Sequence, residues 1–291
     1  SPMDTVTESE MSEAIAKAGG FGIVHRYNTI EEQVSIINST DRNIGAAIGV
    51  TGDFLERANA LVEAGCFMLC IDVAHGHHHN VKTAIESLKQ DISNEIILMA
   101  GNVATAGAFR DLEDWGADVI RVGVGGGSIC STRIQTGHGV PTLQSVLDCA
   151  QVAKTAKIVA DGGIKTAGDI VKCLVAGADF VMLGSLLAGT DEAPGQIFHS
   201  NEGKKYKVYR GMASIEAQVD WKGAANSLEG VSTTIPYKGS VQDILTELSQ
   251  NIRSGLSYSG CRSIKEFRSK AIFVRQTQAG MRESNTHILN K

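Results

Sequence analysis

Apolar and polar positions along the chain follow two rhythms. Short apolar runs of strand length recur at 21–26 (FGIVHR), 43–50 (NIGAAIGV), 67–74 (FMLCIDVA), 95–103 (EIILMAGNV), 118–124 (DVIRVGV), 157–163 (KIVADGG) and 180–185 (FVMLGS). Between them, apolar residues fall three and four apart, the stripe of an amphipathic helix. Runs that are apolar on both faces predict parallel strands covered by helices. One local unit repeats. Ala64-Gly65-Cys66-Phe67 leads into MLCIDVAHG, Trp115-Gly116-Ala117-Asp118 into VIRVGVGGG, and Ala176-Gly177-Ala178-Asp179 into FVMLGSLLAG. In each, a helix stops at a glycine suited to a left-handed C′ position, a strand follows, and a glycine-bearing loop comes next. Helix starts carry cap pairs: Thr7 with Glu10, Thr29 with Glu32, and Asp53 with Glu56. Beyond about residue 190 the pattern is longer and more polar, and it ends in the amphipathic stretch VQDILTELSQNIRSGL.

Seven β–α units in one series predict an α/β fold of the (β/α)8 TIM-barrel type rather than a doubly wound sheet. The series is one strand short of eight and the chain opens on the loop-like SPMDT, so the first strand is expected to lie outside this sequence. The expected organisation is one catalytic domain over 1–291, with a loop or flap region at about 190–240 and a C-terminal helix and tail. Composition narrows the function classes. A hydrophobic fraction of 43% supports a sizeable core, and a net charge of −5 argues against a bulk electrostatic grip on nucleic acid. No apolar run reaches the ~18–20 residues of a membrane span, and SPMDTVTESE lacks the build of a signal peptide. Six cysteines without a CxxC pair read as reduced thiols of a cytoplasmic protein.

In a barrel, chemistry sits in the loops that follow the strands. That rule points to Asp4, His25, Asp72–His79, Asn102, Gly123–Cys130, Asp161–Gly163 and Gly184–Ser185. The stretch Gly123-Val124-Gly125-Gly126-Gly127-Ser128-Ile129-Cys130 fails the dinucleotide fingerprint GxGxxG, because Ser128 stands where the third glycine belongs, and it has no GKS or GKT. Its glycines let backbone groups face a ligand directly. Cys130, at the end of that loop and just ahead of a helix, is a candidate nucleophile; a free structural cysteine is the competing reading. Asp161-Gly162-Gly163 and Gly184-Ser185 follow the last two strands, where barrels often build phosphate sites, and an acid there can accept ribose hydroxyls. Plain turn chemistry is the alternative. Adjacent histidines cannot all face one ion, so His75-Gly76-His77-His78-His79 reads as a polar rim loop rather than a metal site. Lys204-Lys205-Tyr206-Lys207 reads as a solvated turn, and Met68, Met99 and Met182 as core.

Taken together, SPMDTVTE, GGFGIVHR, DVAHGH, GNVAT, GVGGGSICSTR, VADGGIK, GSLLAGTDEAPG and YRGMAS resemble the catalytic barrel of the IMP dehydrogenase/GMP reductase family, from Ser1 to about His287. The Cys loop with ADGG and YRGM carries the most specific part of this likeness. The resemblance implies an NAD(P)-dependent oxidoreductase acting on a purine mononucleotide. Cys130 would attack carbon two of the purine to give a thioether-linked intermediate, with hydride moving between that carbon and a nicotinamide cofactor. Asp161 would hold the ribose hydroxyls, and Ser128, Gly163, Gly184, Ser185 and Tyr209 the phosphate. Gly211 and Met212 would lie against the base. Asp72 would meet the nicotinamide ribose, with Asn102, Gly123 and Gly125 lining that side. The regulatory insert of many family dehydrogenases would enter between about Thr40 and Arg42, and nothing is inserted there. The family usually forms tetramers, so a homotetramer is expected.

Reaction direction rests on smaller signs. Family dehydrogenases hydrolyse their intermediate with a flap that carries an adjacent Arg-Tyr pair. Here ASIEAQVDWKGAANSL, between Met212 and Glu229, is short and has no Arg. Reductases manage departing ammonia with a Thr two residues after the Cys and a Glu-Gly, matched by Thr132 and Glu229-Gly230. The resemblance thus favours an NADPH-dependent GMP reductase that converts GMP to IMP and ammonia. Dehydrogenases also carry that Thr and Glu-Gly, and the Cys loop has their longer spacing. The tail AGMRESNTH resembles the dehydrogenase tail that lends potassium ligands to a neighbouring subunit. Glu283, Ser284 and Asn285 match those ligands, which act with the backbone of Gly125, Gly127 and Cys130. An NAD-dependent IMP dehydrogenase forming XMP is therefore the alternative, and a catalytically idle nucleotide-binding barrel the third reading.

Overall fold

The computed structural model describes residues 1–41, 44–93, 95–225 and 229–286. The expected strand 43–50, the insertion point near Arg42 and the short flap (which includes 226–228) each fall partly outside those residues. All seven apolar runs form strands: β1 (Ile23–Val24), β2 (Gly45–Ile48), β3 (Met68–Asp72), β4 (Ile97–Val103), β5 (Val119–Val122), β6 (Lys157–Asp161) and β7 (Phe180–Met182). They form one sheet in sequential order with every pair parallel. A doubly wound sheet reverses its strand order midway. This one does not, so the winding is that of an α/β barrel. The sheet curls until its edges approach: the rings of Phe21, just before β1, and Phe180, which opens β7, lie 5.7 Å apart edge to face. The strands are shorter than the apolar runs largely because their last residues leave the ladder to build the loops of the barrel mouth.

Side chains alternate across each strand. Ile23, Ala47, Met68, Cys70, Met99, Val119, Val159 and Met182 pack together inside the curl, which bears out the core reading of the three methionines. The intervening residues, among them Leu69, Ile71, Leu98, Ile120 and Ile158, meet the helices in a second, larger cluster with Phe109, Leu112, Ile85 and Leu88. The repeated Gly-Ala-Asp unit proves structural. Gly116 closes the helix Ala106–Trp115 at φ +111°. The Asp118 carboxylate then accepts from Leu98 N, and Asp179 accepts from Ile158 N, so each acid satisfies the entry of the preceding strand.

Several local expectations change. Thr29 and Glu32 form the expected capping box. Thr7 does not cap: the first helix is Ser9–Lys17, its N-cap is Glu8, and the Glu8 carboxylate reaches His25 instead. Asp53 stands at an N-cap without capping, because the buried guanidinium of Arg57 captures its carboxylate at 2.9 Å. The region near 190–240 is more ordered than a loop. β8 (Phe198–His199), β9 (Lys205–Arg210) and β10 (Ser232–Pro236) form an antiparallel sheet, and Ile215–Lys222 is helical. Of the run Lys204–Lys207, read as a solvated turn, Lys204 and Lys205 are exposed, but Lys207 is not. Lys207 lies in β9, is 3% exposed, and donates to the carbonyls of Thr190 and Ala193. Those backbone acceptors stand in for water around the ammonium while burial lowers its pKa. The terminal amphipathic stretch is the helix Val241–Tyr258, as expected. Among the described residues, no helix is long and apolar enough to cross a membrane.

Phe109 is fully buried between helix and sheet. Replacing it with Ala should cost about 3–5 kcal/mol of stability, read as a lower denaturation midpoint with an unchanged slope.

Candidate active site

The loops at the C-terminal mouth enclose a cavity of about 380 Å³. Its walls include Cys130, Thr132, Glu229, Ser128, Asp161, Gly163, Gly184, Ser185, Tyr209, Gly211, Met212, Asp72, Asn102, Gly123, Gly125 and Gly127. Residues from across the chain thus share one space, and the competing turn-only reading of the β6 and β7 loops gives way to a built pocket.

The cysteine loop is held by close backbone approach. Gly123 has φ +144°, and a Cβ there would lie 1.9 Å from the Asp161 carbonyl oxygen. Gly126 has no room either: its Cβ would come 2.5 Å from the Thr142 hydroxyl. The loop is therefore laid flat against Asp161–Gly163, which no side chain at these glycines would allow. Arg133 ties the loop's two ends by donating to the carbonyls of Val124 and Val140.

The far side is pinned by the second sheet. Ser131 N donates to Glu229 O, Val231 N to Ile129 O, and Gly211 N to Val231 O. These bonds extend β10 past its ladder and bring Glu229 beneath the cysteine. The Cys130 thiol donates to Thr132 Oγ1 at 3.2 Å, and that hydroxyl donates to Glu229 Oε2 at 2.8 Å. Thr132 cannot donate in both directions, so the three groups form an ordered proton chain from sulfur to carboxylate.

At the opposite end, the Tyr209 hydroxyl shares hydrogen bonds with Ser128 and Ser185. Burial raises its pKa and these partners oppose the rise, so it stays a neutral phenol. Gly184 lies against it: a Cβ there would approach the Tyr209 oxygen to 3.3 Å. Three hydroxyls and the backbone of the β7 loop thus converge. β9 carries Tyr209 and also Arg210, which clasps Asp4 at 2.9 Å through Nε. That clasp keeps the N-terminal segment beside β9.

Between these ends, Asp72, Asn102 and Asp161 project from β3, β4 and β6. Asn102 Nδ2 donates to Asp161 Oδ2 at 2.8 Å and to Gly123 O at 2.9 Å. Arg121 of β5 is the residue that sequence reasoning missed. Its Nη2 meets Asp161 Oδ2 at 2.8 Å and its Nη1 meets Asp72 Oδ1 at 2.5 Å. Burial works against the charge, but the carboxylates of Asp161 and Asp72 outweigh it and hold the guanidinium protonated. A charged residue in the middle of the run DVIRVGV, between Ile120 and Val122, was the available signal.

Other candidates go elsewhere. Neither Asp4 nor His25 lines the cavity. His77 stacks on Trp115 at 5.7 Å and pairs with Asp111, while His78 accepts from Asn80 N at a helix start. Their side chains diverge, and among the described residues no group of three or more His, Cys, Asp or Glu could hold a metal. Ser284 and Asn285 hydrogen-bond within their own tail, to Gly280 and Met281, and none of Glu283, Ser284 and Asn285 lines the cavity.

Fold and pocket together define a barrel enzyme-like site built on a loop cysteine and paired acids. The profile of the IMP dehydrogenase / GMP reductase domain matches residues 1–287, and the chain belongs to that family. It is similar to GMP reductase of Leishmania major, 48% identical over 261 residues, covering 85% of this chain and 53% of that protein. It is also similar to inosine-5'-monophosphate dehydrogenase of Nitrosopumilus maritimus, 45% identical over 258 residues, covering 84% of this chain and 54% of the relative. The chain thus spans about half the length of these curated relatives. Among solved structures, GMP reductase from Trypanosoma brucei, a cysteine-to-alanine variant in complex with guanosine 5'-monophosphate, superposes with a TM-score of 0.93 at 31% identity. That match covers 99% of this chain and 89% of the other.

The thiols differ sharply. Burial pushes Cys66, Cys70 and Cys173 up to about 11 and Cys149 to about 12. At neutral pH these four stay protonated and shielded, and Cys261 is buried. Brief iodoacetamide treatment at neutral pH should therefore place a single adduct on Cys130, located by peptide mass spectrometry. Adducts spread over several cysteines would contradict this division.

Proposed function

We propose that this chain is an NADPH-dependent GMP reductase that converts GMP to IMP and ammonia. The chain Cys130–Thr132–Glu229, which joins a thiol to a carboxylate within one wall of the cavity, supports covalent chemistry in either direction, and the observation that carries the reductase reading is that no Arg stands between Met212 and Glu229. The GMP-bound structural neighbour supports the substrate class.

Cys130 gives up its proton along Thr132 to Glu229 and adds to carbon two of guanine. Glu229, through Thr132, returns that proton to the exocyclic amine, which leaves as ammonia. A nicotinamide held beside Asp72 and Asn102 would supply hydride to carbon two, from which Cys130 would leave as thiolate to free IMP. Ser128, Ser185 and Tyr209, with Gly163 and Gly184, take the phosphate. Asp161 accepts the ribose hydroxyls, and Gly211 and Met212 flank the base. Asp72, with Asn102, Gly123 and Gly125, faces the cofactor. Fixing substrate at both ends lets positioning carry much of the rate. The residues between Met212 and Glu229 include no Arg to activate water, which favours reduction over hydrolysis.

The cysteine-loop spacing, the tail and relatives such as the Nitrosopumilus enzyme favour a second reading, an NAD-dependent IMP dehydrogenase. Under either, backbone carbonyls of Gly125, Gly127 and Cys130, with Glu283, Ser284 and Asn285 of a neighbouring copy, have the hard oxygen chemistry for potassium. The assembly so implied is a homotetramer in the cytoplasm.

With GMP and NADPH the chain should consume NADPH and release ammonia. NADH production from IMP and NAD, with no turnover of GMP, would reverse the assignment. Cys130→Ala should abolish turnover while leaving the nucleotide Kd within about threefold, because the phosphate and ribose contacts lie on other residues. Equal losses of binding and rate would contradict that separation.

A further inference from the structure

Asp72 on β3 and Asp161 on β6 have two strands between them, yet one buried guanidinium reaches both. Arg121 is 7% exposed. Asp161 Oδ2 accepts from Arg121 Nε at 3.2 Å, from Arg121 Nη2 at 2.8 Å and from Asn102 Nδ2 at 2.8 Å. Its Oδ1 has no protein hydrogen bond among the described residues. Asp72 Oδ1 accepts from Arg121 Nη1 at 2.5 Å, and its Oδ2 likewise has no protein hydrogen bond among the described residues. Arg121 thus divides its fork between two acids and leaves each with one oxygen for a ligand. An Arg–carboxylate pair is frequently bidentate, with the fork given to one acid. Sharing makes the strength of one contact depend on the other.

We propose that Arg121 is a positioning residue that couples the two ends of the cavity, so that the charge on Asp72 is felt at Asp161 and in nucleotide affinity. The reading of the site as a purine-nucleotide pocket supplies only the probes. With both acids present, Arg121 half-quenches each and keeps Asp161 a good acceptor. With Asp72 neutral, the whole fork turns on Asp161 and weakens it toward ribose hydroxyls. With Arg121 gone, two uncompensated carboxylates face each other and an incoming phosphate, and neutralising Asp72 then brings relief.

A double-mutant cycle reads this as a change of sign. GMP and IMP binding is measured by calorimetry, without cofactor, for wild type, Asp72→Asn, Arg121→Met and the double variant. Asp72→Asn should weaken binding about threefold in wild type and strengthen it about tenfold in Arg121→Met, a non-additivity expected only of sites that share a partner. Thermal unfolding of the same four proteins, read without ligand, gives a second cycle: Asp72→Asn lowers Tm in wild type and raises it in Arg121→Met. Should Arg121→Met fail to fold, Arg121→Lys replaces it, keeping the charge but not the fork. An equal effect of Asp72→Asn on affinity in both backgrounds overturns the coupling. An equal effect on Tm overturns the shared clamp itself. Failure of wild type to bind GMP or IMP sinks the nucleotide reading instead, and the melting cycle then decides the clamp.

Discussion

A charge buried in an aliphatic barrel needs an opposite charge at hydrogen-bond distance, and this constraint organises the mouth of the fold. The inward register of β3, β5 and β6 runs through Met68 and Cys70, Val119, and Val159, all packed in the lumen. Two residues further along each strand, the same register delivers Asp72, Arg121 and Asp161. Three ionised groups thus arrive at one level of a space that is otherwise apolar. Removing one partner from such a buried set costs roughly 3–5 kcal/mol, because the remaining charge is stranded. Asn102, contributed by the intervening β4, satisfies Asp161 further and ties it to the Gly123 carbonyl. The polar floor of the pocket is therefore fixed by regular strands rather than by loop conformation.

On that floor the reactive loop can be thin. Glycine at 123 and 126 lets the backbone lie against Asp161–Gly163 at separations that any Cβ would forbid. The loop then rises to Cys130, where it meets Glu229 and Val231 through backbone bonds. Cys130 is consequently held from both sides: by β5 and β6 from the barrel, and by the β9–β10 ladder from the appended sheet. This is why the acid partner of Thr132 comes from nearly a hundred positions later in the chain. A shift of the second sheet would separate Glu229 from Thr132 and break the proton chain without touching the barrel.

Much of this was legible in the residues. Strictly apolar runs separated by helical stripes disclosed seven parallel strands, and the loops after them disclosed the site. What escaped did so for identifiable reasons. Arg121 sits within a run read as uniformly apolar, although period-two counting from Val119 places it inward beside Asp72 and Asp161. Lys207 looked like a solvated charge, because a lysine whose ammonium is satisfied by backbone carbonyls alone leaves no acidic partner in the sequence. The second sheet escaped because β8 and β10 are mostly exposed, so their residues show neither the continuous run of a buried strand nor a clean alternation. Asp53 carried the signature of a cap, but an ion pair with a buried guanidinium outcompeted the backbone amide.

The remaining contrast is between a frame that both branches of the family share and a flap that they do not. On the proposed function, the floor of paired acids, the glycine loop and the hydroxyl cluster would serve nucleotide and cofactor whichever way hydride moves. Direction must therefore be decided where water or ammonia meets the intermediate, at the wall formed by Thr132, Glu229 and the segment from Met212. In this chain that wall offers a carboxylate relayed through a hydroxyl. The resemblance gives both branches of the family that Thr and Glu-Gly, so the relay alone does not set direction. Between Met212 and Glu229 the sequence offers no Arg as a base for water, and Ile215–Lys222 of that segment is helical. On that reading, direction is set by a few residues outside the barrel, acting on a substrate that the barrel would already hold.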